Sequence, residues 1–377
     1  PETTLTALIL ETRSNASKNI PYSSSELQRA IDSFSSVLSS SESEKLDWSA
    51  LRALIAKSAH ITHKEWDKTE AAGEELAALL PDVKDSCFQQ LFQRVLEGGH
   101  WDSAAAAAAG RPASQKPWVV LVTGVNGIRK TSTIYEPWFR EVLAEALNGQ
   151  FSGDANDLPV GGNSFFRQLD YIIATAANKD FKTLYEIKDV HLYAQFKDMI
   201  FTRGRTLAEM IGVVFVKAAQ RERMNVMVET SGRDIGMFTY VDHFFPDSEY
   251  NKLVINFTIN DIGYAERSVD KRMLGEMDVG RSALATNADT IEVIKANAGG
   301  PYGSKVLRQV HEDSNRVWDT IHKGETEVGK SWYKARIAIE GHDEKEWVVR
   351  ASGSGTKQFE FTPRTSQFKK VKIDASQ

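Results

Sequence analysis

The sequence predicts an α/β protein with a parallel central sheet, preceded by a helical region and followed by a small β element. Three observations carry that expectation. Residues 118–123, Trp-Val-Val-Leu-Val-Thr, are a continuous apolar and β-branched run, as in a strand buried on both faces of a parallel sheet. Two further runs, 225–228 and 253–259, alternate with segments of helical periodicity, the pattern that βαβ connections produce. Upstream, residues 23–99 repeat apolar side chains at three- and four-residue steps.

In the first region the helical stripes are Leu27, Ile31, Phe34 and Leu38, then Leu51, Leu54 and Ile55, then Leu76, Leu79 and Leu80. Serines 23–25 offer an N-cap before the first stripe, and Ser39-Ser40-Ser41-Glu42-Ser43 reads as a loop that caps the next helix. Segment 99–116, rich in Ala, Gly, Ser and Pro, places a boundary, so a helical domain with its linker is expected over 1–115. The core is expected over 116–324. After the strand at 118–123 come a helix over 130–147, a Gly- and Asn-rich loop over 149–163, a helical pattern from Phe165, and helices at 192–201 and 207–221. A charged helix follows Asp261 to about Met277, and another spans about 306–322 after Gly299-Gly300-Pro301. Over 325–377 the alternating stretches 335–339, 346–350 and 358–361, with Gly341-His342-Asp343 as a hairpin turn, predict the C-terminal β element.

Composition narrows the function. The 377 residues are 41% hydrophobic and 26% charged, an ordinary globular balance. A net charge of −5 leaves no basic field for nucleic acid, so an anion site must be local. The longest alanine-rich apolar stretch, 104–109, is far shorter than the roughly 20 residues of a membrane-spanning helix, so no membrane partner is expected. Cys87, the single cysteine, reads as a core thiol. Pro1-Glu2-Thr3-Thr4 lacks a signal-peptide pattern as written, and a cytoplasmic address follows as the expectation. His60 and His63 share a helix face, but nothing nearby supplies a third ligand type.

The chemistry concentrates after the first strand, where Gly124-Val125-Asn126-Gly127-Ile128-Arg129-Lys130-Thr131-Ser132 leads into a helix. Strand, glycine-bearing loop, Lys-Thr and helix form the context of a phosphate-binding loop, whose backbone N–H groups wrap phosphate oxygens. Lys130 is placed to reach the β- and γ-phosphates and Thr131 to ligate magnesium. The usual pattern has glycine where this chain has Arg129, so that side chain must point away or reach over the nucleotide.

The strand at 225–228 ends in Glu229-Thr230-Ser231-Gly232-Arg233-Asp234, and a carboxylate at the C-terminal end of a parallel strand stands beside the bound ligand. Glu229 is therefore a candidate for magnesium or a substrate hydroxyl. A phosphate loop, then Glu-Thr and a Gly-Arg-Asp turn about a hundred residues later, then Ala265-Glu266-Arg267 and Lys271-Arg272 on one helix, resembles the zeta-toxin family of P-loop kinases. The resemblance spans roughly 118–277 and covers neither flank.

That resemblance implies a P-loop kinase core, ATP or GTP with magnesium, an arginine-bearing lid at Arg267 and Arg272, and a base on a short motif after the first helix. The nearest match to that motif is Gly162-Asn163-Ser164-Phe165-Phe166-Arg167, in which Asn163 cannot accept a proton. Asp170, one turn on, or Glu229 is the substitute. Asn163, Arg167 and Arg233 are the acceptor-binding candidates, and a nucleotide sugar is the acceptor the family suggests. Without the resemblance, Arg267, Lys271 and Arg272 read equally as a solvated face beside Glu266, Asp270 and Glu276, and Arg233 as a helix-start residue paired with Asp234. The expected function is a small-molecule kinase. The competing reading is a degenerate nucleotide-binding module whose helical N-terminal domain meets a protein partner. A GTPase is a third, but no Asn-Lys-x-Asp motif follows the third strand.

Overall fold

The computed structural model describes residues 2–286, 289–297, 299–340, 348–352, 358–362 and 367–371. The chain divides into two units, each assembled from three stretches of sequence. A helical unit takes 1–102, 165–221 and 270–303, and an α/β unit takes 103–164, 222–269 and 304–377. The three consecutive domains read from composition therefore differ from the partition observed. The reason is physical: periodicity assigns an element to each segment, whereas a unit is decided by which distant segments bury one another.

In the helical unit Ser24–Ser36 begins at Ser23, whose hydroxyl accepts from Glu26 N while the Glu26 carboxylate accepts from Ser23 N, a reciprocal cap. Ser40–Ser43 is itself one helical turn, and Asp47 rather than a serine caps Trp48–Ser58. The two helices expected at 192–201 and 207–221 are one, Val190–Arg221. Gly204 does not break it, because its missing Cβ makes room for Ile173, whose Cγ2 would be 3.0 Å away. The same helix crosses Trp66–Leu79 closely at Gly73, where a Cβ would sit 2.4 Å from Val213 Cβ. Phe215 anchors the core: the rings of Phe88, Phe92, Trp101 and Phe165 lie 5.4–5.6 Å from it, with Cys87 buried alongside in Ser86–Leu91.

The α/β unit is built on a seven-stranded sheet. Its strands are β1 (Trp118–Thr123), β2 (Val226–Glu229), β3 (Asn251–Ile259), β4 (Tyr333–Glu340), β5 (Val348–Ser352), β6 (Gln358–Thr362) and β7 (Gln367–Val371). The order is β2-β1-β3-β4-β5-β6-β7. The first four are mutually parallel, and β5–β7 continue as an antiparallel meander. Every residue of β1 is buried, as a central parallel strand requires. The expected tail element starts inside the core sheet: Ala335, Ile337 and Ile339 of β4 are buried, and Ile255 pairs with Ala335. The expected turn Gly341-His342-Asp343 lies outside the described residues.

The helix expected over 130–147 is two, Lys130–Ile134 and Phe139–Ala146. Pro137 intervenes, and its missing N–H and ring exclude a continuous helix. Segment 99–116 is not all linker, since its alanine run forms Trp101–Ala109, as the highest helix propensity allows. The charged helix after Asp261 extends past Met277 to span Ile262–Ala285, and the last helix is Leu307–Lys323. No described helix is long and apolar enough to cross a membrane.

Candidate functional site

The register Val122↔Glu229 and Thr123↔Asn256 aligns the ends of β2, β1 and β3, and the loop over 124–132 leaves β1 between its two neighbours. Thr230 N donates to Val122 O at 2.9 Å and Gly124 N to Ser231 O at 3.3 Å, so the segment after β2 runs beside the start of the loop. On the other side Asn256 Nδ2 donates to Thr123 Oγ1 at 3.0 Å.

Three loop positions have left-handed backbone. Gly124 (φ 129°) abuts β3, where a Cβ would meet Phe257 O at 2.4 Å, and Gly127 (φ 85°) abuts Ala265, where it would meet the carbonyl at 2.6 Å. Both need glycine for space as well as for φ. The third is Arg129, at φ 63° and ψ 18°. Glycine belongs in this motif position for backbone conformation, and a side chain there costs about 1–2 kcal/mol. The arginine points aside: its guanidinium carbon lies 5.5 Å from the centroid of the Tyr264 ring.

Lys130 is buried, with Nζ donating to Gly124 O at 2.6 Å and Val125 O at 3.0 Å. Thr131 Oγ1 donates to Glu229 Oε2 at 2.7 Å. Ser132 is exposed and donates back to Arg129 O at 3.1 Å. With only five residues in Lys130–Ile134, the helix dipole adds little, and the loop amides from Asn126 onward together with Lys130 are what an anion would meet.

The other candidates are placed as follows. Asn163 is buried, its carbonyl accepting from Met227 N at 2.8 Å and its amide directed at Met224 Sδ, so it extends the sheet beyond β2. Arg233 is exposed, next to Asp234, which accepts from Gly236 N at 2.7 Å and closes the turn before Gly236–Phe244. Arg267 is 70% exposed and 3.5 Å from Asp261. Arg167, Asp170 and Arg272 belong to the helical unit.

There Arg272 donates to Gly300 O at 3.1 Å and lies 3.6 Å from Glu276. Lys197 Nζ donates to Glu276 Oε2 at 2.6 Å and Tyr193 OH to the same oxygen at 2.9 Å, all three side chains being buried. Burial pushes the Lys197 ammonium below its ordinary value and Glu276 opposes that. Burial raises Asp170 to about 6, against the pull of Arg205, Lys197 and Arg272. Sequence reasoning missed Lys197, Tyr193 and Tyr264, and the solvated face it allowed for Arg272 and Glu276 is buried at Glu276, where it meets Lys197. A charged residue within an apolar helical stretch, Lys197 between Phe196 and Met199, was the available signal for the buried cluster.

Among the described residues no three or more His, Cys, Asp or Glu side chains are grouped to hold a metal ion. Magnesium asks less of the protein, since it is bound through one or two side-chain oxygens together with phosphates and water. No family model and no curated protein matches the chain. Among solved structures it is similar to one from the PezAT chromosomal toxin–antitoxin system of Streptococcus pneumoniae. The identity is 10% over 65% of this chain and 77% of the other, with a TM-score of 0.31, a likeness too remote to carry an argument.

Proposed function

We propose that the α/β unit binds ATP or GTP with magnesium at 124–132 and that the chain is a small-molecule kinase, transferring the γ-phosphoryl group to a hydroxyl acceptor. The observation that carries this reading is the 2.7 Å contact between Thr131 and Glu229 beside the buried Lys130. Hydroxyl and carboxylate together suit a hard cation, and the Lys130 ammonium suits phosphate oxygens. Magnesium at Thr131 and Glu229 would neutralise phosphate charge. The loop backbone at Gly124, Asn126 and Gly127, with Ser132 at its edge, would orient the phosphates. Arg267 is the proposed charge-stabilising arginine and Arg233 the proposed acceptor contact, both in the α/β unit. For Asn163 the bonds to Met224 and Met227 favour a structural part.

Calorimetry with ATP and GTP, with and without magnesium, tests the first half. Lys130→Ala should weaken binding at least tenfold, the loss of a charge-assisted contact of about 1.5–3 kcal/mol. For the second half, Glu229→Gln should abolish labelling from radioactive ATP across sugar-nucleotide, nucleoside and alcohol acceptors. A second reading, a degenerate nucleotide-binding module that acts through a protein partner, is favoured by Arg129 at the glycine position. Tight nucleotide binding with no acceptor labelled and no phosphate released would select it.

A further inference from the structure

Residue 129 is strained by its left-handed backbone and carries a cation that the loop motif does not ask for. Its guanidinium rests on Tyr264, in the first turn of Ile262–Ala285. The same turn is keyed to the loop at a second point, where Gly127 lies against the Ala265 carbonyl and a Cβ would also stand 3.1 Å from Val269 Cγ2. Asp261 shapes that turn by accepting from Gly263 N at 2.9 Å, and Arg267 projects from it into solvent 3.5 Å from the same Asp261. The loop with Lys130 and the turn with Arg267 are thus packed as one piece, joined by a glycine contact that cannot respond to charge and an arginine contact that can.

We propose that Arg129 is a ligand-responsive positioning residue: it rests on Tyr264 and moves its guanidinium to the phosphate chain of a bound polyphosphate, releasing the turn that carries Arg267. The inference rests on the reading of 124–132 as a phosphate site. A cation–π contact at a partly exposed ring is weaker than a charge-assisted, two-pronged bond to phosphate, so the exchange runs toward the ligand. Tyr264 then acts as a competitor for Arg129, and the loop's affinity depends on both. The dependence grows with ligand charge and shrinks with salt.

The test is a double-mutant cycle on the full chain with tripolyphosphate and ATP as probes, by calorimetry at low and high salt. Tyr264→Leu should tighten tripolyphosphate binding about two- to fivefold by removing the competing ring, and Arg129→Gln should weaken it about tenfold. In the Arg129→Gln background, Tyr264→Leu should change nothing. Amide exchange supplies a readout that a merely structural contact would not move: tripolyphosphate should speed exchange at 264–267 in the wild type and leave it unchanged in Arg129→Gln. Equal effects of Tyr264→Leu in both backgrounds, or protection of 264–267 by the ligand, would overturn the inference while leaving the phosphate site standing. A wild type that binds neither probe would remove the phosphate site, and this inference with it.

Discussion

Lys130 in the α/β unit and Lys197 in the helical unit are both buried, and their partners differ. Lys130 donates to two backbone carbonyls of its own loop. Lys197 donates to Glu276, a carboxylate shared with Tyr193 and flanked by Arg272. A neutral carbonyl is replaceable by a phosphate oxygen, so the first arrangement can open to a ligand. The second cannot lose a member without leaving a desolvated charge behind. Burial alone therefore does not make two lysines alike: Lys197 donates to a carboxylate, Lys130 to carbonyls of its own loop.

The strongest way to break this comparison is at Glu276. Glu276→Gln should cost about 3–5 kcal/mol of stability, read by urea unfolding, because it strands Lys197. Replacing both Lys197 and Glu276 by methionine should recover most of that loss. A cost below about 1 kcal/mol for the single change would mean that the cluster is hydrated and the contrast is false.

Next in size is Asp170. Its folded value of about 6 lies above the ordinary 3.8, so the protonated form suits the fold. Its contribution is complete below about 3.8 and is lost as pH rises through about 6. Asp170→Asn should therefore raise stability on the order of 1–3 kcal/mol at pH 7 and match the wild type below pH 4. A variant less stable than wild type at pH 7 would show instead that Arg205, Lys197 and Arg272 outweigh desolvation.

Effects smaller than at Glu276 are expected at the loop. Lys130→Met should cost about 1.5–3 kcal/mol, the net worth of a hydrogen bond from a charged donor, and should weaken the proposed phosphate binding as well. Thermal unfolding without ligand checks this, and a loss as large as that of Glu276→Gln would erase the distinction between the two lysines. Arg129→Gly should change stability by less than about 1 kcal/mol, since relief of the left-handed strain offsets the lost contact with Tyr264.

Legibility followed sequence separation. The buried strand β1 was readable because a parallel strand covered on both faces must be apolar throughout, and 118–123 is, apart from its terminal Thr123. Lys130, Thr131 and Glu229 were readable because motif spacing encodes local geometry, and the hydrogen bond from Thr131 to Glu229 joins two such local signals. Helix limits were less so: Pro137 divided one expected helix, while Gly204 failed to divide another because packing against Ile173 favours the missing Cβ. The pairing of Lys197 with Glu276 spans 79 residues, and nothing in either local pattern names the other.

By itself the sequence determined the α/β class and the strand-loop-helix that carries Lys130, since each depends on side-chain pattern within a few residues. Tertiary structure alone decided that segments 165–221 and 270–303 join the amino-terminal helices, that β4 enters the core sheet, and that Arg129 rests on Tyr264. Those outcomes turn on which apolar faces and charges meet after the chain has folded back on itself. No local periodicity records that choice.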